Sequence, residues 1–178
     1  MTYRLAQDAI GGPVLETARL RLRPPHEADY PDFAAFYASD RAAARGWQRD
    51  ATQSVEFWNV LTHHWQEKRY GWFVITMTDT GRPIGMCGPW TMQPMPEGEI
   101  AWSLWHDNVE GKSLAYEAAI SARHFTFGTL GWPTAVSYIA YDNLRSIALA
   151  RRLGASQDGE WTTPKGAQVA VYRHRRAA

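Results

Sequence analysis

The chain has 178 residues, of which 45% are hydrophobic and 21% are charged, and its formal net charge at pH 7 is +1. This length and composition predict a single globular domain over residues 1–178 with a substantial core. The near-neutral charge argues against a nucleic-acid or membrane-surface partner, and the single cysteine, Cys87, excludes an internal disulfide or a multi-cysteine metal site.

The N-terminal third of the chain predicts one strand followed by two helices. Residues 1–13 predict a loose lead-in, because glycine and proline at its end disfavour regular structure. Residues 15–23 alternate apolar and polar side chains, which is typical of a half-buried strand, and Pro24 ends it. Apolar residues at helical spacing predict a first helix over 27–39 and a second helix with Ser54 as its N-cap.

The centre of the chain predicts a strand hairpin followed by a further strand. Gly71 closes the second helix, and residues 72–78 predict the next strand. A turn at residues 79–82 leads into a strand over 83–90. After a proline-containing loop, another strand is predicted over 99–105.

The remainder of the chain alternates helices and strands. The pattern predicts a helix over 111–127, a strand over 134–141, a helix over 143–153 and two final strands around Trp161 and over 169–172. Interleaving of this kind implies an α/β (α+β) fold, with a mixed sheet and helices on both of its faces.

The most informative segment is the turn that precedes the helix over 111–127. It reads Glu110, Gly111, Lys112, Ser113, Leu114, Ala115. A helix start offers free backbone N–H groups and a partial positive charge, so a turn rich in small residues at this place suits a phosphate group. Such turns are common, and an ordinary helix N-terminus capped by Ser113 is the alternative.

A second segment gives this turn a more specific interpretation. Asn143 and Ser146 open the last helix, which ends near Arg152 and is closed by Gly154. Together the two segments resemble the GNAT superfamily of acyl-CoA-dependent N-acyltransferases, and more closely the branch that includes the N-terminal acetyltransferases of ribosomal proteins. The resemblance covers nearly the whole chain and implies a mostly antiparallel sheet of six to seven strands.

The resemblance implies that acetyl-CoA is the co-substrate. The turn matches the family's pyrophosphate-binding motif with two departures, since Glu110 replaces a Gln or Arg and Ser113 replaces a glycine. Asn143 would bond the pantetheine arm, although helix capping alone would account for it. The expected cofactor-binding residues are Ser103, Leu104 and Trp105 through their backbone, then Glu110, Gly111, Lys112, Ser113, Leu114, Ala115, Asn143, Ser146 and Arg152, with Arg145 as a further candidate for a phosphate.

Acylation of an amine needs a base for the ammonium group and benefits from an acid for the leaving thiolate. Glu99 is the favoured base and Glu97 the second choice, while a plain surface carboxylate is the alternative for each. The tyrosine that serves many GNAT enzymes as the acid falls at Ala150 here, so Tyr141 and Ser146 are the nearest substitutes. We expect no metal ion.

The predicted function is transfer of an acetyl group from acetyl-CoA to a primary amine of a small molecule or a peptide N-terminus. Aromatic residues such as Trp47, with Arg45 nearby, are expected around the acceptor, which the sequence does not name. The alternative is a CoA-binding relic without useful catalysis that acts as a sensor or partner subunit. With no apolar run of membrane-spanning length and no signal peptide, we expect a cytoplasmic protein, and a homodimer stays open.

Overall fold

The computed structural model describes residues 3–8 and 12–176. Within these ranges nine strands form one sheet. The strands are β1 (Arg4–Gln7), β2 (Pro13–Glu16), β3 (Leu20–Arg23), β4 (Phe73–Met77), β5 (Pro83–Trp90), β6 (Glu99–Leu104), β7 (Thr134–Ala140), β8 (Ser156–Thr162) and β9 (Gln168–Arg175). They lie in the order β1-β2-β3-β4-β5-β6-β7-β9-β8, and β6 and β7 form the parallel pair of this otherwise antiparallel sheet in the described ranges. The predicted fold class is confirmed, whereas six to seven strands was too low a number.

The extra strands come largely from the N-terminus. The predicted strand over 15–23 is two strands, β2 and β3, which pair with each other antiparallel. The predicted loose lead-in over 1–13 is wrong for Arg4–Gln7, which pairs along its whole length with β2. The side chains of β1 are mostly exposed, so it carries no alternating pattern, and its backbone pairing holds it in place. Residues 1, 2 and 9–11 of that prediction lie outside the described residues.

The helices are α1 (Tyr30–Ala38), α2 (Asp40–Ala43), α3 (Ala51–Lys68), α4 (Leu114–His124) and α5 (Leu144–Arg152). A π-helical turn, Phe125–Thr129, extends α4, and short 3-10 turns precede α1 and α4. Helix α3 begins earlier than predicted because Asp50, and not Ser54, is its N-cap. The Asp50 side chain accepts from the Gln53 backbone N–H at 2.8 Å, and the Gln53 side chain accepts from the Asp50 N–H at 3.1 Å.

Helices cover both faces of the sheet, as predicted. Successive side chains of a strand point to opposite faces, so Phe73 and Ile75 pack beneath α4 while Val74 packs against α1 and α3. Cys87 is buried in the cluster beneath α4, and burial raises the pKa of its thiol far above the usual range. Its thiol is therefore part of the core.

The sheet opens between β6 and β7. Strand β5 pairs with β6 over six residue pairs, but the parallel pairing of β6 with β7 in the described chain consists of the one pair Glu99 and Val136. Beyond Glu99 the two strands diverge. The C-terminal half of β6 therefore has a paired edge toward β5 and an unpaired edge on its other side.

Gly85 keeps β5 close to this half of β6. A Cβ atom at Gly85 would collide with the Ser103 carbonyl oxygen and lie 3.1 Å from the Leu104 Cα. We expect Gly85→Ala to lower the free energy of unfolding by about 1–3 kcal/mol, because backbone atoms yield less readily than side chains. Urea denaturation would measure it, with Gly159→Ala in β8 as the control, where the added Cβ meets Val171 at an ordinary 4.0 Å. Equal effects of the two substitutions would contradict the expectation.

Candidate active site

A cleft of about 690 Å³ lies at the open edge of β6. Strand β6 forms one wall, the turn before α4 and the start of α4 form the second, and α5 forms the third, while α1, α2 and the following turn close the remaining side. The residues that line it are Phe36, Arg41, Ala44, Arg45, Trp47, Trp102, Ser103, Leu104, Val109, Glu110, Gly111, Ser113, Leu114, Ala115, Tyr116, Asn143, Arg145, Ser146, Ala148, Leu149 and Arg152. Most of the predicted cofactor-binding residues are therefore brought together.

The turn before α4 presents backbone donors to this cleft. Gly111 and Ser113 both have positive φ, at 71° and 59°, and the second is unusual for a residue with a side chain. The first α4 bond runs from the Glu117 N–H to the Ser113 carbonyl at 3.0 Å, so the N–H groups of the preceding residues have no intrahelical acceptor. Within the described ranges the Ser113 side chain makes no cap bond, and its hydroxyl instead accepts from Arg152 Nη1 at 3.3 Å.

Helix α5 delivers two polar side chains to the opposite wall. The Asn143 Oδ1 caps α5 by accepting from the Ser146 backbone N–H at 3.3 Å. The Ser146 hydroxyl in turn accepts from Trp102 Nε1 at 3.2 Å, which ties α5 to β6. The predicted cap is thus present, and both side chains also face the cleft.

The backbone of β6 differs from the prediction. The Trp105 N–H donates to the Ile84 carbonyl at 2.8 Å, so it faces β5 and not the cleft. Donors alternate along an antiparallel strand, which turns the Ser103 N–H toward β5 as well and leaves the Leu104 and Trp102 N–H groups on the unpaired edge. The prediction that all of residues 103–105 offer N–H groups is wrong for Ser103 and Trp105, and Trp102 was missed.

Trp105 also packs away from the cleft. Its side chain is buried among the aromatic residues of α1 and α3 and stands outside the lining as the described residues form it. Lys112 likewise stands outside that lining. It is exposed, and its carbonyl accepts from Arg19 Nη1 at 3.0 Å. Both had been expected to contact CoA, and the structure places neither side chain at the cleft.

The cleft is strongly basic. Among the described residues that line it, four are arginines (Arg41, Arg45, Arg145 and Arg152) and one, Glu110, is a carboxylate. The guanidinium of Arg152 lies 3.8 Å from the centroid of the Tyr116 ring, which holds it at the wall of the cleft. Glu110 forms ion pairs with Arg41 and Arg145, and Arg41 also pairs with Asp107. This charge distribution suits a polyanion.

The two candidate bases have different surroundings. Glu99 is only 8% exposed, and burial raises the pKa of its carboxyl to about 8. Glu97 donates its backbone N–H to the Tyr138 hydroxyl and binds both terminal nitrogens of Arg173, at 2.6 and 2.8 Å. The hydrogen bonds from Arg173 lower the pKa of Glu97, which makes it a poor proton acceptor. A base with a pKa near neutrality is better matched to proton transfer, which favours Glu99, and among the described residues both carboxylates stand outside the lining of the cleft.

The two candidate acids lie in different places relative to the cleft. Ser146 faces the cleft, whereas Tyr141 is exposed and donates its hydroxyl to Glu160. That bond raises the pKa of Tyr141, and within the described residues Tyr141 stands outside the cleft lining. Ala150 is buried against Ile139 and Tyr172, so the position of the family's tyrosine is part of the core.

The sequence interpretation missed Arg41, Trp102 and Tyr116. Counting back two residues from the predicted Leu104 would have found Trp102, because the two share one edge of β6 by alternation. No local signal marks Arg41, because its partner Glu110 is 69 positions away along the chain. In residues 3–8 and 12–176 no group of three or more His, Cys, Asp or Glu side chains is arranged to hold a metal ion. Over the same ranges, the helices lack the combination of length and apolar character that crossing a membrane demands.

Comparison with known proteins identifies the family. Residues 19–156 match the model of the acetyltransferase (GNAT) domain. An acetyltransferase from Agrobacterium tumefaciens is 32% identical with a TM-score of 0.85, over 96% of this chain and 99% of that one. The ribosomal-protein-S5-alanine acetyltransferase from Vibrio fischeri is 17% identical with a TM-score of 0.73, over 91% and 96% of the two chains, and shares the fold.

An aminoglycoside acetyltransferase in complex with coenzyme A shares the fold as well, at 16% identity and a TM-score of 0.73 over 88% of this chain and 95% of that one. The family match covers more than half of the chain, and the Agrobacterium relative covers nearly all of it. The chain belongs to the GNAT family and is an acyl-CoA-dependent acetyltransferase.

Proposed function

We propose that this enzyme transfers the acetyl group of acetyl-CoA directly to a primary amine of a small molecule or a peptide N-terminus. The observation that carries the proposal is the basic cleft at the unpaired edge of β6. One end of the cleft offers hydrogen-bond donors that suit a phosphate group, and the other end offers the free N–H groups of the strand. A relative of the same fold is in complex with coenzyme A, which supports acetyl-CoA as the co-substrate.

Different parts of the cleft suit different parts of acetyl-CoA. The N–H groups at the start of α4 and the Arg152 guanidinium suit the pyrophosphate. The amides of the pantetheine arm would extend along β6, within reach of the Leu104 N–H and the Asn143 side chain. A backbone N–H at this edge would polarise the thioester carbonyl, since a fixed donor outside bulk water stabilises the developing oxyanion.

Glu99 would remove the proton from the acceptor ammonium. The free amine then attacks the thioester carbon, a C–N bond forms, the C–S bond breaks and the electron pair leaves with the sulfur. Ser146 faces the cleft and is our proposed proton donor to the thiolate, and it regains a proton from the second N–H that the nitrogen loses as the amide forms. The side chains of Glu99 and Trp105 share one face of β6 by alternation, the face covered by α1 and α3. The acceptor would therefore approach from that face.

Relatives of this fold act on both candidate acceptor classes, a ribosomal protein and an aminoglycoside, which supports a primary amine without choosing between them. Trp47 and Arg45 line the mouth of the cleft, and an apolar wall beside a cation suits either acceptor. We also propose a cytoplasmic location, and light scattering would distinguish a monomer from a homodimer.

The test has two steps. Acetyl-CoA, CoA and ATP are each added at high concentration, and the melting temperature is recorded. A ligand at about 100 times its Kd stabilises the folded chain by roughly 2.7 kcal/mol, so acetyl-CoA and CoA should raise the melting temperature by several degrees and ATP should not. Release of free thiol is then followed with acetyl-CoA and a panel of primary amines. Binding without thiol release from any amine would favour the alternative, a CoA-binding sensor without useful catalysis.

A further inference from the structure

We propose that Arg41 and Arg145 form a two-arginine site for a phosphate group of CoA, and that Glu110 fills this site as an internal counter-anion when the ligand is absent. The identity of the ligand rests on the proposed function. The geometry of the site rests on the ion pairs alone, and neither Arg41 nor the placeholder role of Glu110 follows from membership of the family.

The two arginines reach Glu110 from opposite walls of the cleft. Arg41 lies on α2 and pairs through Nη2 with Oε1, whereas Arg145 lies in the first turn of α5 and pairs through Nη1 with Oε2. Each carboxylate oxygen thus binds one guanidinium group. Two cations held this close repel each other unless an anion lies between them, so the arrangement requires a negative group at this point.

A phosphate group suits the same place better than the carboxylate does. It carries more oxygen acceptors and more charge, and guanidinium groups bind phosphate oxygens in geometries that lysine cannot reproduce. The site also lies in the cleft beside Gly111 and Ser113, whose turn leads into the free N–H groups of α4. A phosphate bound here would be continuous with the pyrophosphate position proposed above.

The surroundings allow Glu110 to leave while Arg41 stays. Arg41 is also bonded to Asp107 and donates its Nε to the Leu104 carbonyl at 3.2 Å, so it remains anchored to β6 without Glu110. Arg145 has a side chain that is 76% exposed, and Glu110 is its ion-pair partner within the described residues. Glu110 is followed by Gly111, whose backbone is free of the restrictions that a side chain imposes, so movement of Glu110 needs only a local change.

This arrangement makes Glu110 a competitor of the phosphate. CoA must break two ion pairs and approach a carboxylate before it gains the arginines. Removing the negative charge at Glu110 removes both obstacles, although it also removes the group that holds Arg145 in place. Partly exposed ion pairs are weak and an ordered arginine anchor persists at Arg41, so we expect the competition to outweigh the loss of preorganisation.

The experiment is isothermal titration of CoA, pantetheine and inorganic pyrophosphate at low salt into the wild-type chain and three variants. Glu110→Gln should bind CoA and pyrophosphate roughly tenfold more tightly, and Arg145→Gln several-fold more weakly, because each ion pair changes binding by up to about that amount. Pantetheine, which lacks the phosphate groups of CoA, should bind all of them equally. Glu56→Gln, on the exposed face of α3, makes the same charge change away from the cleft and should match the wild type.

The outcomes separate this inference from the proposed function. If the wild type binds CoA and Glu110→Gln binds it equally or more weakly, the placeholder role is overturned and the proposed function stands. A parallel change for pantetheine would also overturn it, since Glu110 would then act on the shape of the cleft. If no form of the chain binds CoA, the proposed function fails. The two-arginine site then stands only if Glu110→Gln binds pyrophosphate more tightly than the wild type and Arg145→Gln binds it more weakly.

Discussion

Glu99→Gln is expected to lower kcat by about a hundredfold or more, because a positioned general base contributes roughly 10²–10⁴ to the rate. Glutamine keeps the shape of the side chain and cannot accept the proton. In the wild type, kcat/KM should rise with pH and level off above about 8, where the buried carboxyl of Glu99 is ionised. The variant can use only amine that is already deprotonated in solution, so its kcat/KM should keep rising toward the pKa of the amine, about 10. Thiol release measured between pH 6 and pH 9.5 gives both quantities.

Glu99→Gln is expected to stabilise the folded chain at high pH, although it lowers kcat. The pKa of Glu99 in the folded chain, about 8, lies above the ordinary value, so the folded state holds a proton that the unfolded state releases. Stability of the wild type therefore falls as the pH rises from about 4.3 to about 8, by on the order of 3–5 kcal/mol. Glutamine resembles the protonated form, so the variant should be more stable than the wild type at pH 9 and similar at pH 5.

Glu97→Gln is the matched control for this prediction. Glu97 is two residues away on the same chain segment, but Arg173 holds its carboxylate and lowers its pKa. We expect the Glu97 variant to keep kcat within a few-fold of the wild type and to show the same pH dependence. Loss of kcat in the Glu97 variant together with its retention in the Glu99 variant would show that the assignment of the base is reversed.

Glu117→Gln is expected to lower the free energy of unfolding by about 1–3 kcal/mol at pH 7, since an amide cannot accept all of the hydrogen bonds that the buried carboxylate accepts, whereas the Arg19 side chain, 45% exposed, can turn to water. Glu117 lies in the first turn of α4 and is 1% exposed. Its Oε1 accepts from the Thr17 hydroxyl at 2.6 Å and the Arg19 N–H at 3.0 Å, and its Oε2 accepts from Arg19 Nε at 2.7 Å. The carboxylate thus joins α4 to the turn between β2 and β3.

The pH dependence of this effect has the ordinary sign for a carboxylate. Burial alone would raise the pKa of Glu117, but the bonds from Thr17 and Arg19 outweigh it and hold the pKa below its usual value. The stabilisation is therefore fully present above about pH 4.3 and is lost as the pH falls through the lower folded pKa. Urea denaturation at pH 7 and at pH 3.5 should show a large difference between variant and wild type that shrinks in acid.

Glu56→Gln serves as the control for this measurement, since Glu56 is exposed on α3 and should change stability by less than about 0.5 kcal/mol. A Glu117 variant as stable as this control at pH 7 would mean that the carboxylate does not hold α4 in place.

The elements with strong local signals could be predicted from the sequence. The strand over 83–90 and the last helix were placed almost to the residue, because the turn before one and the Asn143 cap of the other are local signals. Strand β1 could not be predicted, since its exposed side chains carry no pattern and its pairing with β2 depends on the rest of the sheet. The helix start at Asp50 was missed, although an Asp followed three residues later by a Gln is a capping-box pattern that the sequence contains.

In the candidate site, too, residues marked by local motifs could be predicted, whereas residues brought in by distant contacts could not. Residues next to one another in the motifs, such as Gly111 and Ser113, were found from the sequence and lie together in the cleft. Arg41 was missed because its place beside Glu110 depends on how α2 packs across the sheet edge, a contact between distant parts of the chain. The orientation of the β6 N–H groups was missed because it depends on the register with β5, which composition does not reveal.

The single parallel pair between β6 and β7 has a consequence for how the chain unfolds. It divides the sheet into a part built from β1 to β6, on which α4 packs, and a part built from β7 to β9, on which α5 packs. Proteins open in cooperative units that follow such divisions. Because few backbone hydrogen bonds join these two parts, they can unfold separately. A molecule lying in the cleft would contact α4 and β6 on one side and α5 on the other. Its binding would then join two units of melting into one, and the transition would sharpen as well as move to higher temperature.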